Sequence, residues 1–249
     1  MLLIHAADGV LNLTLNRPHK RNALDSATIA ELTAALEQAE LDASVRVVAI
    51  RGAGPDFCAG ADLDELLASA DHTPEENERG AARLGAVYTA IRRLPRPVVA
   101  VVQGRALAGG AGLATACDLV VAGSSSQFGY PEIQRGFVPA MVMTMLRRVA
   151  GEKRAFELVA TGRTVTAAEA LDLGLISLVE PDTGLETTAK ALLGKLAGSS
   201  ASAMALIKRL FYEQEGRSFE EGIALGARVN ALARAHPDFR AAIAAFLKR

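Results

Sequence analysis

Three apolar runs constrain this chain more than any other feature: Val45-Arg46-Val47-Val48-Ala49-Ile50, Pro97-Val98-Val99-Ala100-Val101-Val102 and Leu119-Val120-Val121-Ala122. A strand that reads as nearly continuous Val, Ile and Ala is buried on both faces, which requires helices on either side of the sheet. The segments between the runs supply them. Before the first run, Gly9 to Leu15 alternates apolar and polar residues as a half-buried strand and stops at Asn16-Arg17-Pro18. A helix is then predicted, N-capped by Asp25 or Ser26, with Ile29, Leu32, Leu36 and Ala39 on one face. The first run closes at Arg51-Gly52-Ala53-Gly54-Pro55, and a further helix is expected to begin near Asp62. Gly109 to Cys117 reads as a short helix of small residues between the second and third runs. The pattern is that of an α/β fold.

From about Ala140 the periodicity becomes helical, over Met141–Val149, Lys153–Ala160, Ala167–Leu173, Leu185–Leu196, Ser202–Glu213 and Phe219–Ala235, with one strand-like piece at Leu175–Val179. Asp71 to Arg79, the most polar stretch, reads as a solvated loop entering a helix at Pro74. There is no low-complexity linker and no repeat of fixed period.

With 249 residues, half of them apolar, the chain can bury the core of one large domain or two small ones. Its net charge of −1 gives no global field for nucleic acid or an anionic membrane. The apolar runs fall far short of the roughly 20 residues needed to cross a bilayer. Two cysteines, Cys58 and Cys117, are too few for a disulfide framework, and the first residues lack the basic flank of a signal peptide. We expect a cytoplasmic protein with no nucleic-acid or membrane partner.

Glycines cluster at 52–60 and 104–112. Neither Gly52-Ala53-Gly54 nor Gly110-Ala111-Gly112 carries the third glycine of a dinucleotide fingerprint, and Gly110-Ala111 stands where a P-loop needs Lys-Ser/Thr after Gly104–Gly109. No G-x-S-x-G nucleophile elbow occurs. The four histidines, His5, His19, His72 and His236, are isolated from one another and form no metal-ligand spacing. What the glycines allow is close approach of a ligand to backbone. Phe57-Cys58-Ala59-Gly60-Ala61-Asp62-Leu63 and Ala108-Gly109-Gly110-Ala111-Gly112 each precede or open a helix, where N–H groups lack partners. Two converging N–H donors form an oxyanion hole. Gly109-Gly110 equally suits close packing of a short helix, and the residues alone leave both readings open.

Five ordered blocks carry a resemblance: Asn16-Arg17-Pro18-His19-Lys20-Arg21-Asn22-Ala23-Leu24, the Phe57–Leu63 segment, Gly104 to Gly110, Ala116-Cys117-Asp118, and Phe128-Gly129-Tyr130-Pro131-Glu132-Ile133. Together they resemble the signature of the crotonase (enoyl-CoA hydratase/isomerase) superfamily. The likeness continues through Thr161-Gly162, Ala168-Glu169-Ala170, Gly174-Leu175 and the closing Ala245-Phe246-Leu247-Lys248-Arg249. It implies a spiral of ββα repeats over residues 1–195 carrying an acyl-CoA site, and a helical C-terminal region over 196–249 used for assembly into a homotrimer or a dimer of trimers. It assigns the oxyanion donors to the N–H groups of Ala61 and Gly109. Coenzyme A contacts fall to Arg21, Ala23, Leu24, Ala59, Ala61, Asp62, Leu63 and Asp64, with Phe246 and Lys248 at the adenosine phosphate end. The substrate is carried as a coenzyme A thioester, and no other cofactor is implied.

The family's hydratases place one glutamate three residues beyond the second oxyanion glycine and another in the Pro-Glu block. Here the first position is Gly112 and the second Glu132. A lone Pro-Glu in a loop is ordinarily a solvated charge; the resemblance makes Glu132 the acid/base, and the nearby Ile133, Phe137, Val138 and Pro139 are expected to raise its pKa. Moving a double bond needs one carboxylate to take a proton at C2 and return it at C4, whereas adding water is best served by two. Enoyl-CoA isomerase is therefore expected ahead of enoyl-CoA hydratase, with a non-catalytic acyl-CoA-binding subunit as a further alternative. Asp64 or Glu65 could restore a second acid from the other helix, but both read first as ordinary first-turn residues favoured by the helix dipole. Tyr88 reads as a core residue.

Overall fold

The computed structural model describes residues 1–248; Arg249, the end of the closing block, lies outside the described residues. The chain opens with a hairpin that the sequence pattern hid. Strand β1 (Leu2–Ala7) pairs antiparallel with β2 (Val10–Leu15) around Asp8-Gly9, both at positive φ, +53° and +77°, as a two-residue hairpin turn requires. As an edge strand with almost every side chain exposed, β1 leaves no alternation to read.

Thereafter the chain winds. From β2, with Leu11, Leu13 and Leu15 buried, it passes to α1 (Ser26–Leu41), where the Asp25 carboxylate accepts from the Thr28 N–H and Leu32, Leu36 and Ala39 are buried. The next turn runs from β3 (Val47–Gly52) to α2 (Leu63–Ala68) and α3 (Pro74–Arg93), the latter opened by a capping box of Thr73 and Glu76. A third runs from β4 (Val98–Val102) through β5 (Arg105–Leu107) to α4 (Gly109–Ala116), and a fourth from β6 (Leu119–Gly123) through β7 (Gln127–Gly129) to α5 (Ala140–Ala150) and α6 (Glu152–Thr161). Then come β8 (Thr164–Thr166), α7 (Ala167–Asp172), β9 (Leu178–Glu180) and α8 (Leu185–Ala197). The C-terminal helices are α9 (Ala201–Glu213), α10 (Phe219–Ala235) and α11 (Pro237–Phe246).

Among the described residues the strands form two sheets, in the orders β1-β2-β3-β4-β6-β9 and β5-β7-β8. The larger is parallel from β2 onward. Isolated bridges Leu24–Ala61 and Cys58–Ala106 continue the smaller tier, so each turn contributes a strand to the large sheet, a strand or bridge to the small one, and a helix. This is the expected ββα spiral; its strands begin at unevenly spaced positions, which explains the lack of a fixed period. Burial of both faces is realised too. One face packs Val48, Ile50, Ala100 and Val102 against Leu36, Val87, Ile91 and Leu113, and the other packs Val47, Ala49, Val99, Val101 and Val121 against Leu185, Ala189 and Leu193 of α8. Each such valine, leucine or isoleucine contributes about 1.5–3 kcal/mol when fully buried. The division expected at residues 195/196 falls inside α8. No helix among the described residues is long and apolar enough to cross a membrane.

Helix α9 is joined to the spiral by charge. Lys208 Nζ donates to the carbonyls of Ile91 (2.7 Å) and Arg96 (2.9 Å) and to Asp118 Oδ2 (2.6 Å), while Tyr212 donates to Asp118 Oδ1 (2.8 Å).

Candidate active site

The first wall of the site is built around Asn22. Its buried amide donates to the carbonyls of Ala53 (2.8 Å) and Asp56 (2.7 Å) and accepts from the Arg17 N–H (2.9 Å). Arg17 in turn binds the Ala23 carbonyl and the Asp62 carboxylate, each at 2.8 Å. The result is a fixed turn whose end zips onto the Gly60–Asp62 segment: the Leu24 N–H donates to Gly60 O (2.8 Å) and the Asp62 N–H to Leu24 O (3.0 Å). Because residues alternate across a strand, the intervening Ala61 N–H faces away from this pairing. Arg17 and Asn22 lie in the first signature block, yet nothing in their spacing or residue type marks them for a role.

The second wall is the start of α4. Cys58 and β5 exchange hydrogen bonds (Cys58 N–H to Arg105 O, 3.0 Å; Leu107 N–H to Cys58 O, 2.9 Å), and the Ala108 N–H donates to Gly129 O (2.8 Å), so β5 delivers Gly109 beside Gly60. A Cβ on Gly60 would lie 3.2 Å from the Gly109 nitrogen, and one on Gly109 would lie 3.8 Å from the Ala61 nitrogen. The two N–H groups therefore share one small volume, and among the described residues neither has a hydrogen-bond acceptor. The two readings of Gly109-Gly110 hold at different residues. A Cβ on Gly110 would collide with the Cys58 carbonyl and come within 2.7 Å of its Cβ, so Gly110 serves packing. One on Gly109 would meet nothing closer than Leu84 Cδ2 at 3.5 Å, so the space there is left for something else. Ala108, just before, sits at φ +52°, ψ −126°, a conformation rare for a residue with a side chain.

Glu132 follows β7 in a 3₁₀ turn, Pro131–Arg135. It is 8% exposed, and its Oε2 is buried without a hydrogen-bond partner. Burial raises its pKa above the ordinary 4.5, opposed by a backbone hydrogen bond and by Arg135. The direction matches the expectation, but the cause is corrected in part: Ile133, Phe137 and Val138 are exposed at 46–56% and do not supply the dry environment, and of the four expected residues Pro139 alone is buried. Position 112 is closed. A Cβ on Gly112 would stand 2.6 Å from Val142 Cγ2 of α5 and 2.7 Å from the Tyr88 hydroxyl of α3. Neither proposed substitute acid comes to the gap, since Asp64 pairs with Lys20 at the surface and Glu65 accepts from the Ser26 N–H and hydroxyl, both 2.9 Å. Burial pushes the Cys58 thiol up to about 12, leaving it un-ionised.

Of the remaining expected contacts, Ala23, Leu24 and Asp62 are buried, Ala59 and Ala61 are half-buried, and Arg21, Leu63 and Asp64 are exposed. The Asp62 carboxylate is committed to Arg17 and to capping α2 through the Asp64 N–H, at 3.0 Å, so only its backbone can face a ligand. Phe246 and Lys248 are exposed at the end of α11, and no hydrogen bond among the described residues joins that segment to the Arg21–Leu24 turn.

Two free N–H groups at a helix N-terminus can polarise a carbonyl, and a dry carboxylate can exchange a proton. A model of the family described as Enoyl-CoA hydratase/isomerase matches residues 5–249. The chain belongs to the enoyl-CoA hydratase/isomerase family. A putative enoyl-CoA hydratase of Thermus thermophilus is 40% identical over 235 residues, covering 94% of this chain and 93% of the relative. The 1,2-epoxyphenylacetyl-CoA isomerase of Escherichia coli is 33% identical over 252 residues, covering 100% of this chain and 95% of that one. The crystal structure of an enoyl-CoA hydratase from Mycobacterium smegmatis superposes with a TM-score of 0.95 at 37% identity, covering 99% of this chain and 96% of its own. The protein is thus an enzyme of the crotonase type, and its fold is the crotonase spiral.

Proposed function

We propose that this family member is an enoyl-CoA isomerase that moves a double bond from the 3 to the 2 position of an acyl-CoA thioester. The thioester carbonyl oxygen accepts from the Ala61 and Gly109 N–H groups. Glu132 removes a proton from C2, the negative charge passes onto that oxygen as a dienolate, and the same carboxyl group returns the proton at C4. The substrate changes by one proton relocation, and Glu132 ends as it began. The turn of Arg21, Ala23 and Leu24 and the segment Ala59–Asp64 are assigned to the coenzyme A moiety, with Phe246 and Lys248 at its adenosine end.

The observation that carries this reading is the closed space at Gly112. A carboxylate there would have to displace both the Tyr88 hydroxyl and Val142, so a single carboxylate, Glu132, is available for proton transfer. One carboxylate suffices for a proton shuttle, while delivering water and a proton together is served by two. Hydration of 2-enoyl-CoA is the second reading, favoured by relatives such as the T. thermophilus protein whose names specify hydratase. Purified protein given 3-enoyl-CoA and 2-enoyl-CoA in parallel separates them: double-bond migration supports the isomerase, and rapid hydration without migration overturns it. Assembly into trimers is supported by apolar side chains left exposed on α9–α11, among them Phe211, Phe219, Ile223 and Phe246. Sedimentation would test it, a monomer at micromolar concentration counting against.

A further inference from the structure

Tyr88 reads in the sequence as one more core residue of a helix, and by burial it is one, at 5% exposure. Its hydroxyl has a more particular place. It donates to the Gly109 carbonyl at 2.9 Å, and it lies where a side chain at 112 would begin, with the phenolic oxygen 2.7 Å and Cζ 3.1 Å from the position of a Gly112 Cβ. Leu84, one turn earlier on α3, comes to 3.5 Å from where a Gly109 Cβ would stand, beside the Tyr88 hydroxyl at 3.6 Å. The phenol is thus wedged into the first turn of α4, beside one of the two free N–H groups.

Such a contact matters at a glycine. Gly109 lacks the side chain that normally restricts φ and ψ, and the N–H on its nitrogen is useful only if it points at the position of the developing oxyanion. A carbonyl oxygen has two lone pairs, so the Gly109 oxygen can accept within the helix and from Tyr88 together. A second anchor on the carbonyl side of the residue restricts its rotation and with it the direction of the N–H. The proton that makes this bond stays in place: burial first, then the nearby Cys58, Glu132 and Tyr130, push the Tyr88 hydroxyl well above its ordinary range, so it remains a neutral donor.

We infer that Tyr88 is a positioning residue of the oxyanion hole: its hydroxyl fixes the direction of the Gly109 N–H from the space that would hold a side chain at 112. The inference rests on reading the Ala61 and Gly109 N–H groups as the oxyanion pair. It does not depend on which reaction follows enolate formation.

The test reads enolate formation directly, as exchange of the C2 protons of a saturated acyl-CoA into deuterated water, alongside the thermal midpoint. Tyr88→Phe keeps the ring in place and removes the hydroxyl. The expected result is a fall of about ten-fold in the exchange kcat with KM changed less than about two-fold, because the lost interaction aids the transition state more than ground-state binding. An unchanged kcat overturns the inference. So does a loss that follows the fraction of protein unfolded, which is what a purely structural role would give. Gly112→Ala provides a second handle, since its methyl would press on the Tyr88 hydroxyl and Val142. It is expected to lower kcat similarly, and the double variant Tyr88→Phe/Gly112→Ala to be no slower than the worse single variant, as for two changes acting on one contact. Fully additive losses would count against it. A wild-type protein that exchanges C2 protons without migrating double bonds sinks the isomerase reading and leaves this one standing. A wild-type protein that exchanges none sinks the oxyanion reading and this inference with it.

Discussion

At its first residue α4 presents an N–H group without an acceptor, and Glu132 after β7 keeps a carboxylate oxygen without a donor, whereas two residues beyond the last turn of α4 Asp118 has both oxygens engaged. Asp118 Oδ2 accepts from Lys208 and from the Val98 N–H (2.7 Å), and Oδ1 from Tyr212, over whose ring the Arg92 guanidinium lies at 4.5 Å. Both Asp118 and Glu132 are acids taken largely out of water. The difference teaches how to tell a working carboxylate from a structural one here. Where both oxygens are engaged by donors from separate elements, the group holds those elements together. Where one oxygen is buried and idle, the charged form is penalised and the group is left ready to take a proton.

The comparison breaks most visibly if Glu132 proves dispensable. Glu132→Gln preserves shape and removes the proton acceptor, and kcat is expected to fall about a thousand-fold, within the range for loss of a general base. Stability should move the other way with pH. The folded-state pKa of Glu132 is raised above its unfolded value, so its contribution is full below about 4.5 and is lost as pH rises through the folded value. Relative to wild type, the Gln variant should therefore gain thermal midpoint as pH rises from 4 to 7. In the wild type, kcat/KM should climb with pH along a limb displaced above the ordinary carboxylate range. A midpoint difference independent of pH would show that Glu132 is satisfied in solution and belongs with Asp118.

At the other end of the helix the expected effect is on folding. Lys208→Met removes the buried cation that serves Asp118 and two carbonyls, leaving a half-buried carboxylate short of a partner, and should destabilise by about 3 kcal/mol. Denaturant unfolding would measure this. The protein that remains folded should turn over at close to the wild-type rate, which is the opposite signature to Glu132→Gln. Burial pulls the Lys208 pKa down while Asp118 holds it up, so the ammonium depends on that pairing.

Legibility in the sequence followed the same division. Strands β3, β4 and β6 were plain because burial on both faces leaves only apolar residues in them, and the N-cap of α1 at Asp25 fell where predicted. The small tier was not legible. Strands β5, β7 and β8 are three residues each, too short for any period, and the residues at the Cys58 and Ala61 bridges are set by partners far along the chain. Helix α11 escaped notice because it has no buried residue to mark a face, although the His236 ring caps it by accepting from the Asp238 N–H. Around the site, Glu132 and the empty position at Gly112 could be read from ordered motifs. Tyr88 could not, since a tyrosine at helical spacing among Leu84, Val87 and Ile91 looks like core until its hydroxyl is seen to end on Gly109.

The paired glycines allow a finer test of the same contrast. Gly109→Ala places a methyl in ordinary contact with Leu84 and Tyr88 but 3.8 Å from the Ala61 nitrogen, inside the volume a carbonyl oxygen must enter. It should fold with a midpoint near wild type and lose about a hundred-fold in kcat, comparable to removal of one oxyanion donor. Gly110→Ala should instead lose stability, because its methyl collides with the Cys58 carbonyl. If the two variants exchange these signatures, the assignment of packing to Gly110 and of ligand space to Gly109 is reversed.

The smallest effect concerns Ala108, whose backbone conformation (φ +52°, ψ −126°) is one that glycine adopts freely and alanine does not. Ala108→Gly relieves local strain in the folded chain and gives more freedom to the unfolded one, so the two contributions oppose and the net change should stay within about 1 kcal/mol. Catalysis is the more telling readout. Ala108 carries the carbonyl side of the peptide whose N–H is the Gly109 donor, and its methyl is packed against Gly60, where an added Cβ would come within 2.7 Å. If that packing helps aim the N–H, Ala108→Gly should lower kcat by a few-fold at unchanged KM despite the relieved strain, in keeping with a site end where local stability is given up for direction. The same substitution leaving kcat untouched would mean that β5 and Tyr88 hold Gly109 without help from Ala108.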